Sequence, residues 1–211
     1  HAFKNLGYIM TEESEILFTG KKIGILASYN GSGFETIQKA IDEKKLHAKI
    51  VVVISNNTNA GVLSKAESCN IPNFIINDKR YPSQNIDDKC ARLLKDFDCD
   101  YVFLSGFMKK IESSLLNAFP NKIINTHPAL LPSIYGGQGM YGRFVHEAII
   151  KNGEKKSGVT IHYVNEVYDK GEIILTKELE LENNETVDSL ENKIKELEKE
   201  AIVEAFEKLL A

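Results

Sequence analysis

An asparagine and a histidine, Asn125 and His127, lie two positions apart, and an aspartate, Asp169, follows further along the chain. An amide can donate a hydrogen bond to a developing oxyanion, and an imidazole exchanges a proton near neutral pH. A carboxylate close to the imidazole would hold it charged. The three side chains are therefore candidates for acyl-transfer chemistry, provided that the fold brings them together.

The local pattern supports a position at the edge of a sheet. Ile123 and Ile124 are typical of a buried strand that ends in a proline-containing loop. Ligands bind at the carboxyl ends of the strands in an open α/β sheet, so Asn125 and His127 would face a substrate there. Taken singly, a histidine before proline is more often a structural residue, and Asp169 before a glycine turn is more often turn chemistry. The catalytic interpretation is favoured because these three residues occur in this order in a chain that also has the turn of Gly31, Ser32 and Gly33.

Strands alternate with helices through most of the chain, which predicts an α/β fold with a doubly wound, mostly parallel, Rossmann-like sheet. We expect an antiparallel strand near the C-terminus and a long C-terminal helix. The predicted strands are residues 23–27, 49–55, 74–76, 101–104, 123–124, 157–163 and 171–180. The predicted helices include residues 61–69, 86–97, 143–151 and 186–210.

A second candidate site is the turn formed by Gly31, Ser32 and Gly33, between the first predicted strand and a helix. Backbone N–H groups and the helix dipole favour an anion at such a turn, and glycine permits close approach. A phosphate site is one interpretation, and a tight turn without a ligand, with Ser32 as helix N-cap, is equally consistent. The turn matches neither the dinucleotide fingerprint nor the P-loop, so those two classes are disfavoured.

Composition limits the possible functions. The chain has 211 residues, 43% of them hydrophobic, which is enough for a sizeable core. A formal net charge of −4 argues against a nucleic-acid surface. No apolar run approaches the length of a membrane span, and no signal-peptide pattern opens the chain, so we expect a cytoplasmic protein without membrane association.

Cysteines and other ligand residues give no metal signal. The three cysteines have neither a disulfide framework nor metal-ligand spacing, and no other cluster of ligand residues does, so no metal is predicted. Residues 1–20 are interpreted as an extension or an expression remnant, because they lack periodicity and begin with His rather than Met. Residues 21–211 are predicted to form one domain, with two small domains as the alternative.

Four motifs in order resemble those of the phosphoribosylglycinamide formyltransferases, the folate-dependent enzymes of the third step of purine synthesis. The motifs are residues 27–34 (ASYNGSGF), 104–108 (LSGFM), 125–132 (NTHPALLP) and 168–171 (YDKG). The resemblance extends from Lys21 nearly to Ala211, and the third motif is typical of formyltetrahydrofolate enzymes generally. Methionyl-tRNA formyltransferases add a C-terminal domain and a basic surface, and deformylases add an N-terminal domain, so both are disfavoured.

The resemblance implies transfer of a formyl group from 10-formyltetrahydrofolate to the amine of 5'-phosphoribosylglycinamide, without a metal. Asn125 and His127 would be catalytic and Asp169 would assist His127. Gly31, Ser32 and Gly33 would bind the substrate phosphate. The folate site would include Met108, Lys109, Lys110, Ile111 and Asn125. His162 is expected to face the site and to contact the catalytic residues without contacting substrate. His47 and His146 are expected on the surface.

The chain departs from the family pattern at three places. Many members have Asn where this chain has Gly33, an arginine near the folate tail is replaced around Gln84, and the loop from Tyr135 to Gly142 is longer than usual. Two alternatives stay open: a non-catalytic module that binds a phosphate or sugar nucleotide, and a deformylase-like hydrolase. In every case we expect small-molecule ligands, no nucleic acid, and a monomer or homodimer.

Overall fold

The computed structural model describes residues 18–211, so most of the predicted N-terminal extension, residues 1–17, lies outside the described residues. Within the described part, the chain forms seven strands and six helices. Contacts divide it into two compact units, one ending at Ile123 and the other running from Ile124 to Leu209. Each unit contains one of the two candidate sites.

The first unit contains four strands, all parallel, in the order β3-β2-β1-β4. These strands are β1 (Lys21–Ala27), β2 (Ala48–Ser55), β3 (Asn73–Ile75) and β4 (Tyr101–Ser105). The helices are α1 (Ser32–Asp42), α2 (Gly61–Ser68), α3 (Ile86–Asp96) and α4 (Ser113–Ala118). The near-continuous apolar runs of β1, β2 and β4 are buried, as expected for parallel strands covered on both faces.

Helix ends in the first unit follow the capping rules. Asn85 caps α3, since its side chain accepts a hydrogen bond from the Asp88 amide at 2.9 Å. The buried carboxylate of Asp87 accepts from the amides of Glu112 and Leu115 at 2.8 and 2.9 Å, and so caps α4. This aspartate is therefore structural and stabilises the segment that leads from β4 to β5.

The second unit is built on an antiparallel ladder in the order β5-β6-β7. Its strands are β5 (Ile123–His127), β6 (Lys156–Tyr163) and β7 (Ile173–Glu180), and its helices are α5 (Arg143–Lys151) and α6 (Val187–Leu210). β6 pairs antiparallel with both β5 and β7, so the predicted C-terminal antiparallel strand is confirmed. Thr186 and Ser189 form a capping box that starts α6, one residue later than predicted.

Candidate active site

The β5–β6 ladder determines which side chains share a face. Asn125 is paired with His162, and His127 is paired with Thr160. Side chains alternate along a strand, and directly opposite residues of an antiparallel pair lie on the same face. Asn125, His127 and His162 therefore lie on one face of the second unit.

Asp169 completes this face from the turn between β6 and β7, where it has a left-handed backbone with φ 57°. Its Oδ1 lies 3.5 Å from Nδ1 of His127 and 3.6 Å from Nε2 of His162. The Asn125 amide nitrogen lies 3.5 Å from the same His162 nitrogen. Asp169 thus contacts His127, and His162 links this pair to Asn125. We call these four residues the His127 cluster.

The His127 ring is 4% exposed and is fixed from both sides. Its Nε2 lies 2.6 Å from the backbone oxygen of Tyr135, and because a carbonyl only accepts, that nitrogen carries a hydrogen. Asp169 is held by the same loop, since its Oδ2 accepts from the Gly137 amide at 2.7 Å. Residues 135–137 therefore hold both members of the His127–Asp169 pair by backbone groups.

Gly136 leaves room for this close approach. A Cβ at this position would lie 2.5 Å from Leu131 Cδ2 and 3.3 Å from Asp169 Cβ. At Gly136 the glycine-rich loop is therefore closely approached by other side chains. Tyr135 and Gly137 were not predicted as site residues, although the adjacent glycines were the available signal.

Burial sets the electrostatics of the pair. Desolvation lowers the pKa of His127 below its ordinary value, against the opposing effects of Asp169 and the Tyr135 carbonyl. Burial works to raise the pKa of Asp169, but the hydrogen bond with His162, the charge of His127 and the Gly137 amide together hold it below its ordinary value. Desolvation therefore works against the expected charge of His127, which Asp169 and the Tyr135 carbonyl favour.

The loop after His127 is anchored by a buried threonine. Thr160 donates to the Ala129 carbonyl at 2.8 Å and accepts from the Leu131 amide at 3.0 Å. Thr160 therefore fixes the loop that lies between Pro128 and Pro132. The anchor lies directly across the ladder from His127.

The remaining histidines differ from one another. His47 is exposed, as predicted. The prediction that His146 lies on the surface is wrong, because it is on the inner face of α5 with Val145 and Ile149 and is 3% exposed. Burial, with Lys195 and Arg143 nearby, lowers its pKa against the effect of Glu191.

The turn of Gly31, Ser32 and Gly33, which we call the anion turn, is shaped by the first unit alone. Gly31 is the N-cap of α1 with φ 69°, and its absent side chain leaves room for Val62, whose Cγ2 would lie 2.4 Å from a Cβ. The alternative with Ser32 as N-cap is therefore wrong. Within residues 18–211 no acceptor contacts the Ser32 or Gly33 amide, whereas the Phe34 amide donates to Ser105 at 3.2 Å.

Residues beneath and beside the turn fix its path. The Ser28 hydroxyl donates to Asn56 at 2.6 Å and accepts from the Met108 amide at 2.9 Å. Lys65 on α2 donates to the Asn30 carbonyl at 2.7 Å and pairs with Glu35 at 2.9 Å. These supporting residues were missed, although Ser28 directly follows the predicted first strand and Met108 was already a candidate.

Gly33, where the family resemblance implies Asn in many members, has no free space either. A Cβ there would lie 2.7 Å from Phe103 Cε2 and 3.0 Å from the Ser105 hydroxyl. Phe103 is buried, so in this chain the aromatic ring fills the volume that a larger residue would need. The packing of Phe103 and Ser105 around this position therefore suits glycine and not a larger residue.

The predicted folate segment divides into exposed and buried residues. Met108, Lys109 and Lys110 are exposed, which suits a ligand contact. The Ile111 side chain is buried in the first unit, so a contact of this residue with a ligand would come from its backbone. Gln84 is exposed as well, in the segment before α3.

Two searches of the described residues gave negative results. Residues 18–211 contain no group of three His, Cys, Asp or Glu side chains arranged to hold a metal ion. Over the same residues, every helix is too short or too polar to cross a membrane.

Comparison with known proteins defines the class. The family model described as formyl transferase matches residues 21–206. The chain therefore belongs to the formyl transferase family.

Similar proteins within that class carry a more particular name. The chloroplastic phosphoribosylglycinamide formyltransferase of Arabidopsis thaliana is 34% identical over 186 residues, which are 87% of this chain and 63% of that protein. The phosphoribosylglycinamide formyltransferase of Bacillus subtilis (strain 168) is 33% identical over 179 residues, 84% of this chain and 89% of the relative. This chain thus spans less than two thirds of the plant relative and most of the bacterial one.

Solved structures confirm the fold class. The crystal structure of phosphoribosylglycinamide formyltransferase from Bacillus halodurans matches with a TM-score of 0.82 and 31% identity, covering 90% of this chain and 96% of that one. The predicted α/β architecture, with a mostly parallel sheet, antiparallel C-terminal strands and a long C-terminal helix, is therefore the fold of this protein.

Proposed function

We propose that this protein transfers the formyl group of 10-formyltetrahydrofolate to the amine of 5'-phosphoribosylglycinamide, a step of de novo purine (IMP) biosynthesis. The observation that carries the proposal is the contact of Asp169 with His127 beside Asn125. Family membership and the names of the similar proteins support the choice of substrates.

The chemistry is an acyl transfer to an amine. The amine nitrogen bonds to the formyl carbon, the carbonyl electron pair moves onto oxygen, and collapse of the tetrahedral species breaks the bond to N10. Asn125 donates a hydrogen bond to the oxyanion. One proton must leave the attacking nitrogen and one must reach N10, so the proton count balances through a single shuttle.

His127 is the proposed shuttle. Burial favours its neutral form. Because the ring hydrogen lies on Nε2, Nδ1 accepts the proton from the attacking amine and returns it to N10, directly or through a water held by Asp169. In the free protein the Tyr135 carbonyl contacts Nε2 of His127, and Asp169 contacts Nδ1. Substrate or the bridging water therefore reaches His127 at Nδ1 beside Asp169, while the Tyr135 carbonyl stays on Nε2–H during turnover.

The first unit supplies binding groups in this proposal. The Ser32 and Gly33 amides of the anion turn bind the substrate phosphate, because they lack acceptors within the described residues and lie at the positive end of α1. Met108, Lys109, Lys110 and the backbone of Ile111, with Asn125, bind the folate. His162 acts through Asn125 and Asp169 and does not contact substrate.

A formyl-transfer assay with both substrates tests the proposal. We expect formylated product to form at the rate at which 10-formyltetrahydrofolate is consumed. Equal consumption without the amine substrate would instead indicate a deformylase-like hydrolase. Failure to bind a folate analogue would support a non-catalytic phosphate-binding or sugar-nucleotide-binding module.

The other sequence-based expectations stay predictions. These are the absence of a metal and of nucleic-acid binding, a monomeric or homodimeric state, a cytoplasmic location, and a single domain over residues 21–211. Sedimentation of the purified protein, with and without substrates, measures the oligomeric state directly.

A further inference from the structure

The Tyr135 carbonyl that meets His127 belongs to a residue that is itself fixed at several points. The Tyr135 side chain is buried, and its hydroxyl accepts a hydrogen bond from the Asn152 amide group at 3.0 Å. The Tyr135 backbone amide donates to the Ser133 hydroxyl at 3.1 Å, which in turn donates to the Leu130 carbonyl at 2.6 Å. The position of this carbonyl is therefore set by bonds to two different segments.

Asn152 ties Tyr135 to the end of a helix. It is the C-cap of α5, and its backbone amide donates to the Ala148 carbonyl at 3.0 Å. The rest of α5 is anchored by buried residues, among them Val145 and Ile149. The path from α5 through Asn152 and Tyr135 to His127 is thus a continuous series of hydrogen bonds within the second unit.

We infer that Tyr135 and Asn152 are positioning residues for formyl transfer, which set the ring orientation of His127 relative to Asp169. The inference rests on the proposed function. Neither side chain contacts the reacting atoms; the Tyr135 hydroxyl and Asn152 act through the Tyr135 backbone carbonyl. The loop that is longer than usual for the family is therefore the part of this chain that aligns the proposed catalytic base.

The groups that face His127 predict how a change at Tyr135 or Asn152 would alter the pKa of this histidine. Asp169 and the Tyr135 carbonyl raise the pKa of His127, and His162 lowers it together with burial. Weakening the carbonyl contact removes one of the two raising effects, so the pKa of His127 falls further. The acid limb of the pH profile of kcat should therefore move to lower pH.

The test uses Tyr135→Phe, Asn152→Ala and the double variant, with Tyr141→Phe as the matched control. Tyr141 lies in the same loop but is exposed, and its ring contacts only Phe144 among the described residues. We expect each single variant to lower kcat about three- to tenfold, the effect of one lost hydrogen bond, with KM values nearly unchanged. The double variant should be no slower than the slower single variant, because both remove the same bond.

A conservative variant and a measurement without substrate complete the design. Asn152→Asp accepts a hydrogen bond from the Tyr135 hydroxyl and should restore most of the rate. NMR titration of the His127 imidazole in the free protein should show the lowered pKa in Tyr135→Phe and Asn152→Ala, but not in Tyr141→Phe. This titration tests the inference even when the wild-type protein has no formyl-transfer activity, so failure of the proposed function is distinguishable.

Three results would overturn the inference. One is an unchanged His127 titration in both single variants. Another is multiplicative losses in the double variant, since these would indicate two independent structural effects. The third is a fall in rate that Tyr141→Phe reproduces.

Discussion

The His127 cluster of the second unit and the anion turn of the first unit are built from different chemical groups. The cluster presents side chains: an amide, two imidazoles and a carboxylate, held within 3.6 Å of one another in successive contacts. The anion turn presents backbone amides. Its shape depends on the backbone angle φ and on the space that the glycines leave for neighbouring side chains. Side-chain identity should therefore be decisive in the cluster, whereas backbone conformation should be decisive in the turn.

The largest effect is expected in the cluster. His127→Ala removes the proton shuttle, and Asn125→Ala removes an oxyanion donor, so kcat should fall about 100- to 10,000-fold in each variant. Initial rates of formyl transfer at saturating substrates measure this loss. His47→Ala, which changes an exposed histidine, is the control and should leave the rate unchanged. A His127→Ala rate within a few-fold of wild type would show that the cluster does not do the chemistry.

The turn should respond to shape instead of side-chain chemistry. Gly31→Ala places a side chain at φ 69° and against Val62, so it should cost about 1–2 kcal/mol of stability and raise the KM of the phosphorylated substrate. Ser32→Ala keeps the backbone amide and should change stability by less than about 0.5 kcal/mol. Urea unfolding and KM measurements compare the two. A larger effect from Ser32→Ala would mean that the hydroxyl, not the amide, binds the ligand.

The pH dependence of stability distinguishes the cluster further. The folded-state pKa of His127 lies below its ordinary value of 6.5, so the unfolded chain takes up a proton first as the pH falls. This contribution to stability is fully present above pH 6.5 and is lost as the pH drops below it. Urea melts of His127→Gln at about pH 7.5 and about pH 5.5, roughly one unit either side of that value, should show a smaller pH effect than wild type. Exposed His47→Gln should behave like wild type, and a steeper dependence in His127→Gln would contradict the assigned direction.

The smallest effect is expected beside the turn. Lys65 holds the Asn30 carbonyl and is largely neutralised by Glu35 at 2.9 Å, so Lys65→Met should raise the KM of the phosphorylated substrate by only about threefold. Lys39→Met on the outer face of α1, where Lys39 pairs with Glu43, is the charge-matched control. Equal KM values in the two variants would show that net charge, not the contact with Asn30, is responsible.

Local patterns were sufficient for most of the fold, whereas the expected closeness of Asp169 to His127 rested on the order of the motifs in the family resemblance. Hydrophobic periodicity located α5 at its exact bounds, and strand ends located Asn125 and His127. Backbone partners could not be predicted, since the Tyr135 carbonyl and the Gly137 amide have no residue-type signature. The burial that lowers the pKa of His127 depends on three-dimensional packing, which the sequence does not show. His146 was misplaced because the orientation of its helix was not known.

The thiols of this chain differ in a way that is useful in practice. Burial raises the pKa of Cys90 to about 12 and that of Cys99 even further, whereas Cys69 is exposed at the C-cap of α2. A maleimide dye should therefore modify Cys69 alone in the native protein. Because α2 also carries Lys65 and Val62, which contact the anion turn, a fluorophore at its far end would provide an optical signal for ligand occupancy without any engineered cysteine.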